Sequence, residues 1–416
     1  MVYSSRVRAG IGEISHCFDE LDLTVQDKQF LRHGFHAPKC DAPLVLIACS
    51  GGRDSLALVA LASKVCASRG LRCGVVIVNH NLQSSSEKVA IEASNQCKKL
   101  GISSDLIYIE SIKVLDSGIG IEAAARDARY AAIIRRAKIL NASVVLLAHT
   151  ADDQAETVVI GLRDSSGLEA IAGMNAIIFR DGIRFARPLL QITRDETTGI
   201  CEDFSIKWWD DPTNGDCVPK NQELHKNYPL RSRVRHTLIP YISHFFNANI
   251  VNLLSRGAKL AQDDLEYINS QVDDVVSKVM TVNFYSSTFN DSDSKHCDNC
   301  ACDNCADCAC ACDNCADCAC ACACDNCASS ITSDNKNIEI TLDVKTLKDF
   351  HISIRRRVIA RALSLMNLRF SSSHITSIDE LISNWHGQKP VSLPCNVKAC
   401  RVGVKNASVI RLCNYR

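Results

Sequence analysis

Through the first half of the chain, short and solidly apolar runs alternate with segments of helical periodicity. The runs are Leu44-Val45-Leu46-Ile47-Ala48-Cys49, Cys73-Gly74-Val75-Val76-Ile77-Val78, Leu106-Ile107-Tyr108-Ile109 and Val144-Val145-Leu146-Leu147-Ala148. None alternates apolar with polar residues, so each predicts a strand buried on both faces. Between them, the segment opening at Leu56, residues 86–100 and Glu122–Leu140 predict helices. Strand and helix in alternation give an α/β fold, a parallel sheet with helices on both faces. In such sheets ligands bind beyond the carboxyl ends of the strands. Three features fall at those ends: Ser50-Gly51-Gly52-Arg53-Asp54-Ser55, His80 and His149.

The pattern also divides the chain. Residues 1–42, mostly polar around one amphipathic stretch, read as a variable lead-in, and the α/β pattern occupies 43–245. A stripe of Leu253, Leu254, Ala258, Leu260, Ala261, Leu265 and Ile268 predicts a helical connector within 246–290. Composition then breaks over 291–337: the ten residues Ala301–Cys310 recur unchanged as Ala311–Cys320, and no large apolar residue stands in 297–328. Such a segment has nothing with which to build a core and reads as a low-complexity, disordered insert. Globular character resumes over 338–416, with helices at Ile352–Leu368 and about His374–Trp385 and a hairpin-like alternation over Val391–Leu412. This predicts a smaller, mainly helical C-terminal domain.

Composition refines the picture in two respects. The 47 basic and 47 acidic residues cancel, which excludes a non-specific nucleic-acid coat protein but leaves local basic patches open. Of 24 cysteines, 13 fall between Cys297 and Cys327. Their CxxC spacings suit zinc or an iron–sulfur cluster, but perfect copies are a poor ligand set, since ligands need distinct positions. No apolar run reaches membrane-spanning length and the N-terminal stretch lacks a signal-peptide core, so a cytoplasmic protein is expected.

The turn at 50–55 links a strand to a helix through two glycines. Free N–H groups and the helix dipole favour a phosphate there, and the Ser50 and Ser55 hydroxyls add donors. No Lys follows a second glycine, so this is not the common P-loop. The second cluster, Asp152, Asp153 and Glu156, opens a predicted helix, with Glu156 beside both aspartates on its surface. Acids at a helix start are commonly caps or dipole partners. Beside a phosphate-binding turn they also suit Mg²⁺ or a substrate amine. Arg231, Arg233, Arg235 and His236 suit RNA phosphates or an exposed basic loop. Arg355, Arg356, Arg357 and Arg361 suit RNA or a solvated helix face. Trp208-Trp209 offers base stacking or core packing.

Taken in order, SGGRDS, VNHNLQ, EAAARDARY, AHTADDQAET and GLEAIAGM resemble the tRNA(Ile)-lysidine synthase family, whose SGGxDS loop marks enzymes that split ATP between the α and β phosphates. Arg187-Pro188-Leu189-Leu190, Asp210-Asp211-Pro212-Thr213-Asn214 and Arg231–Pro240 extend the match, which covers about 43–245 and, more weakly, the C-terminal segment. The resemblance implies an adenine-nucleotide α-hydrolase-like fold with ATP and Mg²⁺ as cofactors. It implies a ligase joining free L-lysine to the wobble cytidine of the isoleucine tRNA with a CAU anticodon, so that AUA is read in place of AUG. It further implies that Ser50, Gly51, Gly52, Arg53, Asp54, Ser55, His80 and Arg126 bind ATP, with Asp54 and Asp152 as metal ligands. Asp54, His149, Asp153 and Glu156 are then catalytic, while Asp152, Arg231, Arg233 and Arg235 meet the substrates. The oligomeric state is open, a homodimer being one form.

Three departures stand out. Gln83 replaces a usual basic residue, Arg163–Gly167 replaces an RGSG-like turn, and extra residues lie between Asn214 and Arg231. Two other readings compete. A tRNA thiolase on the same loop would need its cysteines near the motifs, whereas the CxxC pairs lie elsewhere. A non-catalytic RNA-binding protein would have no need of an intact loop, both histidines and the acidic helix start.

Overall fold

The computed structural model describes residues 3–32, 36–79, 86–112, 121–164, 167–210, 218–219, 222–284, 338–403 and 408–414. Expectations for His80, Gln83, Asp211–Asn214 and the cysteine-rich repeats lie outside these residues. The chain forms two compact units, Met1–Leu265 and Glu266–Arg416.

In the first unit all four expected strands are present: β1 (Leu44–Cys49), β2 (Arg72–Asn79), β3 (Ile107–Ser111) and β4 (Val144–Leu146). They are parallel neighbours in the order β3-β2-β1-β4. Two short strands, β5 (Ile177–Arg180) and β6 (Ile183–Ala186), extend the sheet; β6 is parallel to β4 and β5 is an antiparallel edge. They are joined through Asp181 and Gly182, both at positive φ (49° and 79°). That is the Asp-Gly chemistry of a two-residue hairpin turn.

Helices α2 (Arg53–Arg69), α3 (Ser86–Lys99), α4 (Ile121–Ile139), α5 (Ala151–Asp164), α6 (Leu168–Ile171) and α7 (Arg194–Asp203) accompany the sheet. Val45, Ile47 and Val75 pack into a core with α2, while Leu46, Val76 and Val145 pack against Tyr130, Ile133 and Ala137 of α4. Both faces are thus covered, which is why the strand runs are apolar without alternation. The opening helix (Ser5–Glu20) puts Val7, Ile14, Cys17 and Phe18 into the α2 core, and its Arg6 pairs with Asp203 of α7 at 2.6 Å. The polar lead-in therefore carries part of the core of this unit.

After α7 the chain forms α8 (Leu230–Arg233), a π-helical turn over Val234–Leu238, α9 (Ile239–Phe246) and α10 (Ile250–Val279). Pro240 has no N–H to offer the carbonyl one turn back, which accounts for the widened turn just before it. The unit boundary falls within α10.

The second unit contains a five-stranded antiparallel sheet in the order β7-β8-β11-β10-β9: β7 (Met280–Phe284), β8 (Ile338–Asp343), β9 (Val391–Ser392), β10 (Val397–Val402) and β11 (Val409–Asn414). The expected hairpin is the β10–β11 pair of that larger sheet. Helices Ile352–Leu365 and Ser372–Ser383 bury Val358, Ile359, Ile378 and Leu381 with Ile340 and Leu412. The arginines of the first of these helices are largely committed. Arg355 forks onto buried Asp379 at 2.7 and 3.2 Å, Arg361 pairs with Asp273 at 2.7 Å, and Arg357 reaches Ser353 at 3.1 Å.

Candidate active site

The turn after β1 is shaped by its own hydroxyls. Ser55 donates to the Gly52 carbonyl at 2.8 Å and accepts from the Ser50 N–H at 3.2 Å and the Ser50 hydroxyl at 3.3 Å. Its proton is therefore spent inside the loop, so Ser55 holds the loop's shape instead of offering a donor to phosphate. Gly51 has φ +80°, and a Cβ there would stand 3.1 Å from Ala93 of α3. Glycine thus serves both the left-handed backbone and the close helix approach. Gly52 caps α2 without a side-chain bond, which leaves the first N–H groups of the helix facing the turn.

A cavity of about 500 Å³ opens above the strand ends, lined among others by Ser50, Gly52, Arg53, Asp54, His149 and Asp153. The loop, the end of β4 and the acidic helix start thus converge as expected. Asp153 serves two purposes. With Thr150 it forms a reciprocal cap on α5: Asp153 Oδ2 accepts from the Thr150 N–H at 2.9 Å, and the Asp153 N–H reaches Thr150 Oγ1 at 3.4 Å. Its Oδ1 faces Arg235 at 3.6 Å and Arg194 at 3.7 Å. Burial pushes its pKa up, but Arg194, His149 and Arg235 outweigh that and hold it at about 2. His149 goes the other way: burial, reinforced by Arg187, Arg231 and Arg129, lowers it to about 4 against the pull of Asp153. It is neutral at pH 7, and its Nδ1 is buried with no hydrogen-bond partner.

Glu156 is fully buried and does not line the cavity. Arg235 forks onto it at 2.5 and 3.1 Å, and Arg231 approaches at 3.1 Å. Arg231 also donates to Thr157 Oγ1 at 2.5 Å. The basic cluster read as an RNA surface is, in these two members, folded inward onto α5, because a buried carboxylate demands charged partners. Arg235 reaches the cavity wall; Arg231 and half-buried Arg233 do not. Arg126, expected at the nucleotide, instead lies 5.8 Å from the Tyr130 ring centroid and outside the wall, whereas Arg129, one turn further along α4, lines it. Trp208 packs against the core, and Trp209 lines the cavity, its backbone N–H donating to the Gly51 carbonyl at 3.1 Å.

Two residues without a part in the sequence reading complete the acid cluster. Arg194, the first residue of α7, donates its backbone N–H to Asp152 Oδ2 at 2.7 Å, and its Nε lies 3.4 Å from Asp54 Oδ2. Thr197 donates to Asp54 Oδ1 at 2.5 Å. Thr193 and Glu196 form a capping box that fixes this helix start. The only local signal was a cation at the first position of a helix, which opposes the dipole but does not name the distant acids that hold it.

Asp54 and Asp152 bring hard carboxylate oxygens from α2 and α5 to Arg194, one to its side chain and one to its backbone N–H. Among the described residues no three acids, histidines or cysteines converge as ligands. Mg²⁺ is commonly held by one or two carboxylates plus substrate phosphates, so this donor set fits it.

Fold, loop and cavity together define an ATP-using enzyme of the pyrophosphate-loop class. A model of the PP-loop domain matches residues 23–242, and one of the TilS substrate binding domain matches 342–403. The chain is 43% identical to the tRNA(Ile)-lysidine synthase of Bifidobacterium longum (strain DJO10A), over 99% of this chain and 98% of that one. It is 42% identical to the enzyme of that name from Bifidobacterium animalis subsp. lactis (strain AD011), over 99% and 96%. For the Streptomyces coelicolor protein of the same name the figures are 32%, 87% and 84%. The chain belongs to the tRNA(Ile)-lysidine synthase family.

Proposed function

We propose that this enzyme ligates free lysine to C2 of the wobble cytidine in the CAU-anticodon isoleucine tRNA. The C2 oxygen attacks the α-phosphate of ATP, and pyrophosphate leaves. The lysine ε-amine then attacks C2, and AMP departs with that oxygen. The observation that carries this reading is the meeting, in one cavity, of the anion-binding loop with its Asp54 and the acid Asp153. A nucleotide-splitting site needs the loop, while an amine nucleophile needs a carboxylate held ionised, as Asp153 is.

In this reading the N–H groups at Gly51, Gly52 and the start of α2 hold the leaving pyrophosphate. Arg129, which lines the same cavity, supports the phosphates. Asp153, held ionised, binds and orients the lysine ammonium; at a pKa of about 2 it is its electrostatic partner and not its base. Glu156 acts at one remove, fixing Arg235 at the cavity wall. Neutral His149 offers an uncharged nitrogen to the flipped cytosine or to ATP. Mg²⁺ would be held by Asp54 and Asp152 and would neutralise phosphate charge. A cytoplasmic setting suits a tRNA-modifying enzyme, and among the described residues no helix is long and apolar enough to cross a membrane. Exposed Tyr241, Phe245 and Phe246 on α9 support a homodimer, which sedimentation would test.

Asp54→Ala tests the reading. It should abolish both tRNA-dependent pyrophosphate release and lysine incorporation; near-normal rates of either would sink the assignment.

A further inference from the structure

Arg194 lines the cavity, and the two chemical steps leave it without a task. Its guanidinium stands among three carboxylates yet bonds tightly to none: Nε is 3.4 Å from Asp54 Oδ2, Nη2 3.7 Å from Asp153 Oδ1 and Nη1 4.0 Å from Glu156 Oε1. Charge-assisted N–H···O bonds run at about 2.7–2.9 Å. The acids therefore hold the cation by charge without saturating its donors. Nη1 is buried and has no hydrogen-bond partner, in a side chain only 14% exposed that lines the cavity. A buried donor without an acceptor is costly, and a ligand oxygen removes that cost. Meanwhile the start of the side chain is fixed: the capping box sets the helix turn, and the Arg194 N–H is bonded to Asp152. The backbone is thus held while the guanidinium tip keeps a free donor, an arrangement pre-organised for a ligand.

We propose that Arg194 is a substrate-binding residue whose Nη1 donates to an anionic oxygen of a bound substrate. The inference rests on the lysine-ligation reading, under which two substrates bring such an oxygen: ATP through its phosphates and lysine through its α-carboxylate. Either oxygen would be repelled by Asp54, Asp152, Asp153 and Glu156, and Arg194 is the cation placed among all four.

The test uses the full chain, as wild type, Arg194→Gln and Arg194→Lys. Equilibrium Kd is measured for α,β-methylene-ATP, then for lysine and for lysinamide with the analogue bound. Loss of one charge-assisted bond should weaken one ligand about tenfold to a hundredfold in Arg194→Gln. Arg194→Lys should fall between Gln and wild type, because it keeps the charge and loses the fork. A phosphate contact shows as weaker analogue binding with lysine affinity retained. A carboxylate contact shows as weaker lysine binding and loss of the preference for lysine over lysinamide. Wild-type Kd for both substrates in folded Arg194→Gln, or in Arg194→Lys where the Gln variant does not fold, overturns the proposal. Absence of lysine ligation by the wild type would instead overturn the functional reading, which these binding measurements do not assume for their readout.

Discussion

Arg235 and Glu156 form a fork-on-fork ion pair at 2.5 and 3.1 Å, across 79 residues of sequence. The pair ties the π-helical turn before Pro240 to the acidic helix α5. It also explains why a basic cluster that looks made for RNA has two of its three arginines turned inward.

Glu156→Ala should therefore act first on stability. Removing a fully buried carboxylate leaves Arg231 without its carboxylate and Arg235 with only the longer contact to Asp153, a loss of up to about 3–5 kcal/mol. Urea unfolding should show this loss, with Glu156→Gln, which keeps hydrogen-bond acceptance, losing less. Equal stability of Glu156→Ala and wild type would contradict the inward arrangement.

His149 gives the fold a pH dependence of definite sign. Its folded pKa of about 4 lies below the usual value of 6.5, so between the two the unfolded chain binds more protons. Its contribution is present above about pH 6.5 and is lost as pH falls towards 4, amounting to about 3 kcal/mol at most. His149→Phe should flatten the stability profile across that window; an unchanged slope would show that the imidazole is not held neutral.

Gly173 is held at φ +63°, and a Cβ there would lie 2.7 Å from Gln154 Oε1. That oxygen accepts from the Met174 N–H at 2.7 Å, which clips the turn after α6 to α5. Gly173→Ala combines left-handed strain with a displaced clip, for a loss of about 1–2 kcal/mol. Thermal melting would register this as a fall of several degrees.

Arg129 and Arg126 separate nucleotide contact from packing. Arg129→Ala should raise the KM for ATP about tenfold, the worth of one charged contact. The same change at Arg126, stacked on Tyr130, should have a smaller effect on that constant. Equal effects would mean that Arg126 also reaches the nucleotide.

The parts of this site that were legible from sequence are those fixed by local pattern. Strands buried on both faces advertise themselves as unbroken apolar runs, and a glycine turn between strand and helix marks an anion seat, so the loop at 50–55, His149 and Asp153 could be placed together. Arg194 and Thr197 could not be reached that way, since their contacts to Asp54 span 140 and 143 residues. Arg126 and Arg129 differ only by helical phase, which spacing of three residues does not resolve. Strands β5 and β6 are four residues each, too short for periodicity, although Asp181-Gly182 did carry the hairpin signal. Ser55 was misjudged for a simpler reason: sequence shows a hydroxyl but not where its proton is spent.

The most direct test of the account is to incubate the purified full chain with ATP, labelled lysine and isoleucine tRNA bearing a CAU anticodon. The account predicts label on the tRNA at the wobble cytidine, with one AMP and one pyrophosphate released per lysine attached, and the same result after deletion of residues 297–327. ATP turnover without lysine transfer, sulfur transfer in its place, or transfer that depends on the cysteine-rich repeats would contradict it.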